Sequence, residues 1–302
     1  MANTTKKFLL YSTPVMALFL ALSLFEPIIY QKIFASTNID RLKGKEFEII
    51  AHKGASGVSP ENTLVAFQKA LDLGVDMIEL DVRHTKDEEI IVFHDSTLDR
   101  TTNGRGLVEK FTLAEIKELD AGSWFDPEYA DQKVPTLKEA LDLIDGRCKV
   151  LIEIKHMDHP HYHDFAEKLI NVIRQENNGF EWCILQSYED KYIEEAHAYD
   201  DRIQTKKLLI GEDSAPLIAF YMETRVHLGR SKKETKLDAL NPHFETLSPR
   251  RIFRMHARGY DVYAYPVNER LDMIKMLNMG VDGIITDYPA RLIQLKKEID
   301  AL

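Results

Sequence analysis

The sequence predicts a (β/α)₈ barrel, on three observations. Eight short apolar runs recur between residues 46 and 286, separated by amphipathic stretches that read as helices. Residues 46–302 have the length of one such barrel. Polar residues that a buried strand does not ordinarily carry gather where the apolar runs end, which is the end at which this fold builds its sites.

In chain order, strands are expected at residues 46–51, 76–82, 148–154, 182–187, 204–210, 236–241, 261–265 and 282–286. Helices are expected at 63–73, 136–144, 164–175, 190–198, 249–257 and 269–279. Their ends carry start and stop signals. Asn62 can cap the first helix and Gly74 ends it. Thr136 and Glu139 have capping-box spacing, with Gly146 beyond the helix. Ser248-Pro249 reads as N-cap and first helical residue, with Gly259 at the far end. Gly280 closes the helix before the last strand. The crossover at 211–235 is the least regular. The stretch from His94 to Pro135 is long for a single connection and holds Asn103, Gly104, Gly106 and a short helix near 113–119. It reads as a small insertion after the second strand, over one end of the barrel. A doubly wound open sheet is the alternative, but no G-x-G-x-x-G follows the first strand.

Residues 1–45 stand apart from this pattern. Lys6 and Lys7 precede an apolar run over residues 8–25, which has the length to enter or cross a bilayer. Ala35-Ser36 offers small residues for cleavage without a clean A-x-A site. We therefore expect an N-terminal signal or anchor segment and linker at 1–45, and one barrel domain at 46–302. Basic residues flank the run on both sides (Lys32, Arg41, Lys43 and Lys45 follow it), so the positive-inside rule is nearly balanced. A lone apolar segment behind two lysines points to export, with the barrel membrane-anchored or secreted and outside the cytoplasm. The net charge of -10 argues against nucleic acid as a partner. The two cysteines, Cys148 and Cys183, read as buried free thiols.

The chemistry centres on Glu79-Leu80-Asp81. Strand side chains alternate, so Glu79 and Asp81 point to one face of an otherwise apolar strand. Two like charges there are costly unless a cation lies between them, either an Arg or Lys partner or a hard divalent ion. Glu153, at the end of the third strand, adds a third carboxylate, and together the three suit Ca²⁺ or Mg²⁺. His52 and His94 flank the acids and suit proton transfer. Lys53 and Lys155 supply charge for a phosphate. Gln186, Ser187, Tyr265, Asn268 and Asp287 fall at the same end. The set reads as metal-assisted phosphoryl transfer. The run His156, His159, His161, His163 lies in a polar loop and reads as solvated.

These residues sit in recognisable motifs. They are His52-Lys53-Gly54, Pro60-Glu61-Asn62-Thr63, Glu79-Leu80-Asp81, His94-Asp95 with Leu98-Asp99-Arg100-Thr101-Thr102, Glu153-Ile154-Lys155, and the run from Gly280 to Pro289. In this order they resemble the glycerophosphodiester phosphodiesterase family. The resemblance implies a (β/α)₈ barrel that hydrolyses glycerophosphodiesters, small soluble substrates, to glycerol 3-phosphate and an alcohol. It implies one divalent cation on Glu79, Asp81 and Glu153, acid/base roles for His52 and His94, and a phosphate-facing role for Lys155. In the family scheme one histidine activates the glycerol 2-hydroxyl and the other protonates the leaving alcohol. Two positions depart: Lys53 stands where the family usually has Arg, and Tyr265 where it often has Trp. Both keep the chemical type and are expected to touch substrate. A non-enzymatic, membrane-tethered binder of head groups and a related barrel phospholipase acting on intact lipids are the alternatives. The latter wants an apolar rim, hinted at by Trp124-Phe125.

Overall fold

The computed structural model describes residues 35–156, 164–209 and 237–302, together with Tyr30 and Lys32. The apolar run at 8–25, His159, His161, His163 and the crossover at 211–235 lie outside the described residues.

Eight parallel strands close into a barrel. They are β1 (Glu48–Ala51), β2 (Met77–His84), β4 (Lys149–Ile154), β5 (Cys183–Ser187), β6 (Gln204–Leu209), β7 (Ala239–Pro242), β8 (Asp261–Ala264) and β9 (Gly283–Thr286). The ring closes because β1 pairs with both β9 and β2. Each expected strand is present within a few residues of its expected ends. One strand is additional: β3 (Ile90–Val92) runs antiparallel to the last residues of β2, pairing Val82 with Val92 and His84 with Ile90. It forms because β2 outruns β1, leaving a free edge above the barrel.

The helix signals act largely as read. Gly74 ends α1 (Leu64–Leu73) in the left-handed conformation at φ 73°. Thr136 and Glu139 form a reciprocal capping box. Ser248 caps a helix that opens with Pro249. The first cap differs from expectation. Thr63, not Asn62, accepts from the backbone of Ala66, and Asn62 is turned toward the acids at φ 58°. The insertion folds around its own small core of Ile91, Phe93, Leu98, Val108, Ile116, Ala121 and Val134. Trp124, Phe125 and Tyr129 pack edge to face on one another there. Cys183 is buried and Cys148 partly so, and both are free.

The main core lies between strands and helices. Leu42, on a short 3-10 turn at Ile39–Leu42, belongs to it at 1% exposure. Asn278 Nδ2 donates to the carbonyls of Ser36 and Asn38, and Lys43 Nζ to that of Leu302. The barrel's packing thus begins inside the stretch that the sequence assigns to the linker. This turn sits at the N-terminal ends of the strands, opposite the strand ends that carry the polar residues.

Inside the barrel, Ile50, Met77, Leu151, Ile184, Ala239, Tyr263 and Ile285 form an apolar floor. Lys206 shares this layer at 5% exposure, with Nζ 3.4 Å from the Tyr263 ring centroid. Burial pushes its pKa down to about 8. The unfolded chain therefore binds the extra proton between about pH 8 and pH 10.4, and stability rises with pH across that window. Lys206→Met removes the burden of the buried ammonium. It should be more stable than the parent by about 2–3 kcal/mol at pH 7, and this advantage should shrink by pH 10. Urea unfolding of both proteins at the two pH values measures it; a gap that does not change with pH contradicts this reading of Lys206.

Candidate active site

Two residues along each strand from the floor, the interior turns polar. Met77 is followed by Glu79 and Asp81, Leu151 by Glu153, Ile184 by Gln186, Ala239 by Asn241, and Tyr263 by Tyr265. The alternation of strand side chains forces this stacking. Register then sets the neighbours, because Asp81 lies opposite Glu153 and Glu153 opposite Gln186. Glu79, Asp81 and Glu153 each offer an oxygen within 4.8 Å of the others, and all three are buried.

The acids are tied in place individually. Glu79 Oε2 accepts from the backbone N–H of Lys53 at 2.9 Å, and Gln186 Nε2 donates to Glu79 Oε1 at 3.3 Å. Asn241 Nδ2 in turn donates to Gln186 Oε1 at 2.7 Å. Asn62 Nδ2 donates to Asp81 Oδ2 at 2.7 Å and its Oδ1 accepts from the Asp81 backbone at 3.2 Å. Lys155 Nζ lies 2.9 Å from Asp81 Oδ1 and 2.5 Å from Glu153 Oε1. Asp81 Oδ1 nonetheless takes no well-directed hydrogen bond.

One lysine does not balance three acids. Burial, reinforced by the charges of Asp81 and Glu153, pushes Glu79 up to about 8. Burial foremost also raises Glu153, with Asp81 adding to it against Lys155. Burial works against Asp81 too, but Lys155, His94, Lys53 and the Asn62 hydrogen bond hold it below the usual carboxylate range. The protein alone thus keeps Glu79 protonated near neutral pH. A divalent cation would let all three ionise, and the under-coordinated Asp81 oxygen and all-oxygen donor set fit one.

The two histidines flank this cluster, each with a carboxylate on Nδ1. His52 Nδ1 is 2.6 Å from Asp287 Oδ1, and its Nε2 is 3.9 Å from Glu79 Oε2. Asp287 is steadied by Ser56 Oγ at 2.9 Å and Asn268 Nδ2 at 2.6 Å. Burial opposes protonation of His52, but the Asp287 hydrogen bond and the charges of Glu79 and Asp287 prevail and raise its pKa. His94 Nδ1 is 2.6 Å from Asp95 Oδ1. Its pKa is lowered, by burial first and then by Lys155 and Lys53, against Asp81 and Asp95.

All eight site residues expected from the sequence are therefore brought to one end of the barrel. Lys53 arrives with its ammonium on Glu61 Oε1 at 3.0 Å. Tyr265 is half-buried, its hydroxyl donating to the Leu209 carbonyl at 2.9 Å and joined to the Tyr188 hydroxyl. Ser187 ties the strand ends together instead, donating to the Ile154 carbonyl at 3.0 Å and accepting from the Glu189 backbone at 3.1 Å. His156 is exposed and paired with Glu189. Sequence reasoning missed Tyr188, Asn241 and Ser56. Asn241 carries a signal in its i+2 spacing from the floor residue Ala239. Tyr188 and Ser56 lie on loops and carry none.

Residues 52–291 match the Glycerophosphoryl diester phosphodiesterase family. The chain is 38% identical over 251 residues to a glycerophosphodiester phosphodiesterase of Caldanaerobacter subterraneus, covering 83% of this chain and 98% of that one. It is 34% identical over 261 residues to one of Bacillus subtilis, covering 82% and 86%. The structure of an Oleispira antarctica phosphodiesterase in complex with its product, sn-glycerol-3-phosphate, superposes with a TM-score of 0.72 at 28% identity, over 83% of this chain and 96% of that one.

The crowding of acids gives a binding test that needs no substrate. Ca²⁺ or Mg²⁺ at about a hundred times Kd should stabilise the fold by about 2.7 kcal/mol, a rise in Tm of a few degrees. Glu79→Gln makes permanent the neutral side chain that burial already favours, so it should not lower the cation-free Tm, but the cation-induced rise should be lost or sharply cut. Equal rises in both proteins, read by calorimetry, would place the cation elsewhere.

Proposed function

The chain belongs to the glycerophosphoryl diester phosphodiesterase family and is an enzyme that hydrolyses glycerophosphodiesters, and we propose that it does so at the acidic cluster, with His52 and His94 as acid/base residues and sn-glycerol 3-phosphate as a product. The observation that carries the proposal is the convergence of three buried carboxylates with two carboxylate-backed histidines at one barrel end.

A divalent cation, Ca²⁺ or Mg²⁺, held by Glu79, Asp81 and Glu153 would supply Lewis-acid charge to the phosphate oxygens. The protein's own groups do the rest. Asp287 and Asp95 engage Nδ1 of the two imidazoles, which leaves each Nε2 to exchange a proton with substrate. One ring takes the proton from the glycerol 2-hydroxyl as it attacks phosphorus, the other gives one to the departing alcohol, and water then opens the cyclic phosphate to sn-glycerol 3-phosphate. Lys155, whose ammonium lies beside Asp81 and Glu153, would supply positive charge to the phosphate. Tyr265 and Tyr188 form a phenolic wall beside the cluster, suited to the glycerol or alcohol part of the substrate.

The substrate we favour is a small soluble diester rather than an intact lipid. Phe125 packs edge to face on both Trp124 and Tyr129, which commits much of this aromatic surface to the insertion itself. We place the barrel outside the cytoplasm, anchored or released through the apolar run at 8–25. Residues 36–43 dock at the barrel end opposite the site, so an anchor leading into them would leave the site facing away from the bilayer, on whichever side the barrel lies. Among the described residues no helix is long and apolar enough to cross a membrane.

His52→Ala and His94→Ala should each lower kcat on glycerophosphocholine by about two to four orders of magnitude. Both proteins should stay folded, because the rings are partly exposed rather than packed in the core. Near-normal kcat in either variant would remove that histidine from the scheme.

A further inference from the structure

Arg100 lies on the insertion, outside every barrel strand, yet it joins two parts of the site. Its Nε donates to Asp95 Oδ2 at 2.7 Å and its Nη2 to Asp95 Oδ1 at 3.0 Å. On the other edge, Nη1 and Nη2 donate to Glu61 Oε2 and Oε1, both at 2.8 Å. Asp95 Oδ1 lies 2.6 Å from His94 Nδ1, and Glu61 Oε1 accepts from Lys53 Nζ at 3.0 Å. A continuous chain thus runs Lys53–Glu61–Arg100–Asp95–His94, linking the loop after β1 to the loop after β3.

Stability is a poor explanation for this arrangement. Arg100 is 44% exposed, and exposed ion pairs contribute little to folding. What two bidentate contacts supply is geometry. A planar guanidinium with both edges engaged fixes the planes of both carboxylates, which a lysine ammonium cannot do. The Pro60-Glu61-Asn62-Thr63 turn is built for the purpose. Thr63 caps α1, Asn62 holds Asp81, and Glu61 between them reaches Arg100 and Lys53.

Asp287, behind His52, is steadied by the neutral donors Ser56 and Asn268, and so offers its ring a full negative charge. Asp95, behind His94, is offset by a guanidinium. The charged groups that act on His94 are Asp81 from β2, Lys155 beyond β4, Lys53 beyond β1, and Asp95. The two imidazoles therefore have backing of different charge, and Arg100 makes the difference.

We infer that Arg100 is a positioning residue for the phosphodiesterase reaction, holding Asp95 so that His94 keeps Nε2 toward substrate, and holding Glu61 so that Lys53 stays at the site. The inference rests on the acid/base role proposed for His94.

The test uses full-length Arg100→Ala, Arg100→Lys, Asp95→Asn and His94→Ala, assayed on glycerophosphocholine at saturating Ca²⁺ or Mg²⁺. Arg100→Ala should lose about 10- to 100-fold in kcat, with a smaller change in KM. Arg100→Lys should recover little of it, because one ammonium cannot grip two carboxylates. Added guanidinium ion should raise kcat of Arg100→Ala several-fold and leave His94→Ala unmoved, which a merely structural role would not produce. Asp95→Asn, isosteric with the parent, should fall at least as far as Arg100→Ala, and carries the test if Arg100→Ala does not fold. If His94→Ala is crippled while Arg100→Ala and Asp95→Asn keep kcat within about twofold, the positioning role is wrong and the histidine assignment stands. If His94→Ala is itself normal, the assignment fails and takes this inference with it.

Discussion

Repulsion among three buried carboxylates is the constraint on which the rest of this structure depends. Glu79, Asp81 and Glu153 face one another because strand alternation and parallel register leave them nowhere else to point. The surrounding residues answer that charge. Lys155 reaches two of the acids, Asn62 and Gln186 donate to two, and the Lys53 backbone donates to Glu79 from a left-handed conformation at φ 53°. Even so burial and the charges of Asp81 and Glu153 push Glu79 well above the usual carboxylate range, and the cluster fits a divalent cation. A site that is expensive to assemble and incomplete when assembled is the kind that function, rather than stability, maintains.

Around this cluster the barrel divides its labour by depth. The floor layer is apolar apart from Lys206 and carries the packing, and the layer two residues above carries the acids and their polar neighbours. The loops beyond supply orientation: Asp287 from the end of β9 for His52, and Asp95 with Arg100 from the insertion for His94. The insertion can do this because it has a core of its own and does not borrow rigidity from the substrate. The segment that leads into the barrel packs at the other end, where Leu42 and the Asn278 contacts join it to the barrel.

Much of this was legible in the sequence, for physical reasons. The period-two pattern of Glu79 and Asp81, and its repeat at Glu153, marks interior polar positions without any structure. Helix ends announced themselves through Gly74, Thr136 with Glu139, and Ser248-Pro249. What escaped had no periodic signal or a misleading one. Ile90–Val92 is too short to read as a strand and exists only because β2 outruns its neighbour. Asn62 has the chemistry of a cap, but tertiary contact with Asp81 claims it. Lys206 lies in the expected strand at 204–210, but nothing in the sequence marks its side chain as one that ends inside the barrel. Arg100 is recognisable only as part of a motif. Its reach to two carboxylates 39 and 5 residues away depends on the folded loops.

The central claim is that the acidic cluster works only once a divalent cation completes its charge balance. The most direct measurement follows hydrolysis of glycerophosphocholine by ³¹P NMR in full-length protein, before and after exhaustive chelation, with Ca²⁺ or Mg²⁺ then restored. The account predicts that sn-glycerol 3-phosphate accumulates with the cation present, stops accumulating on its removal, and resumes on its return. An undiminished rate in the chelated protein would contradict it.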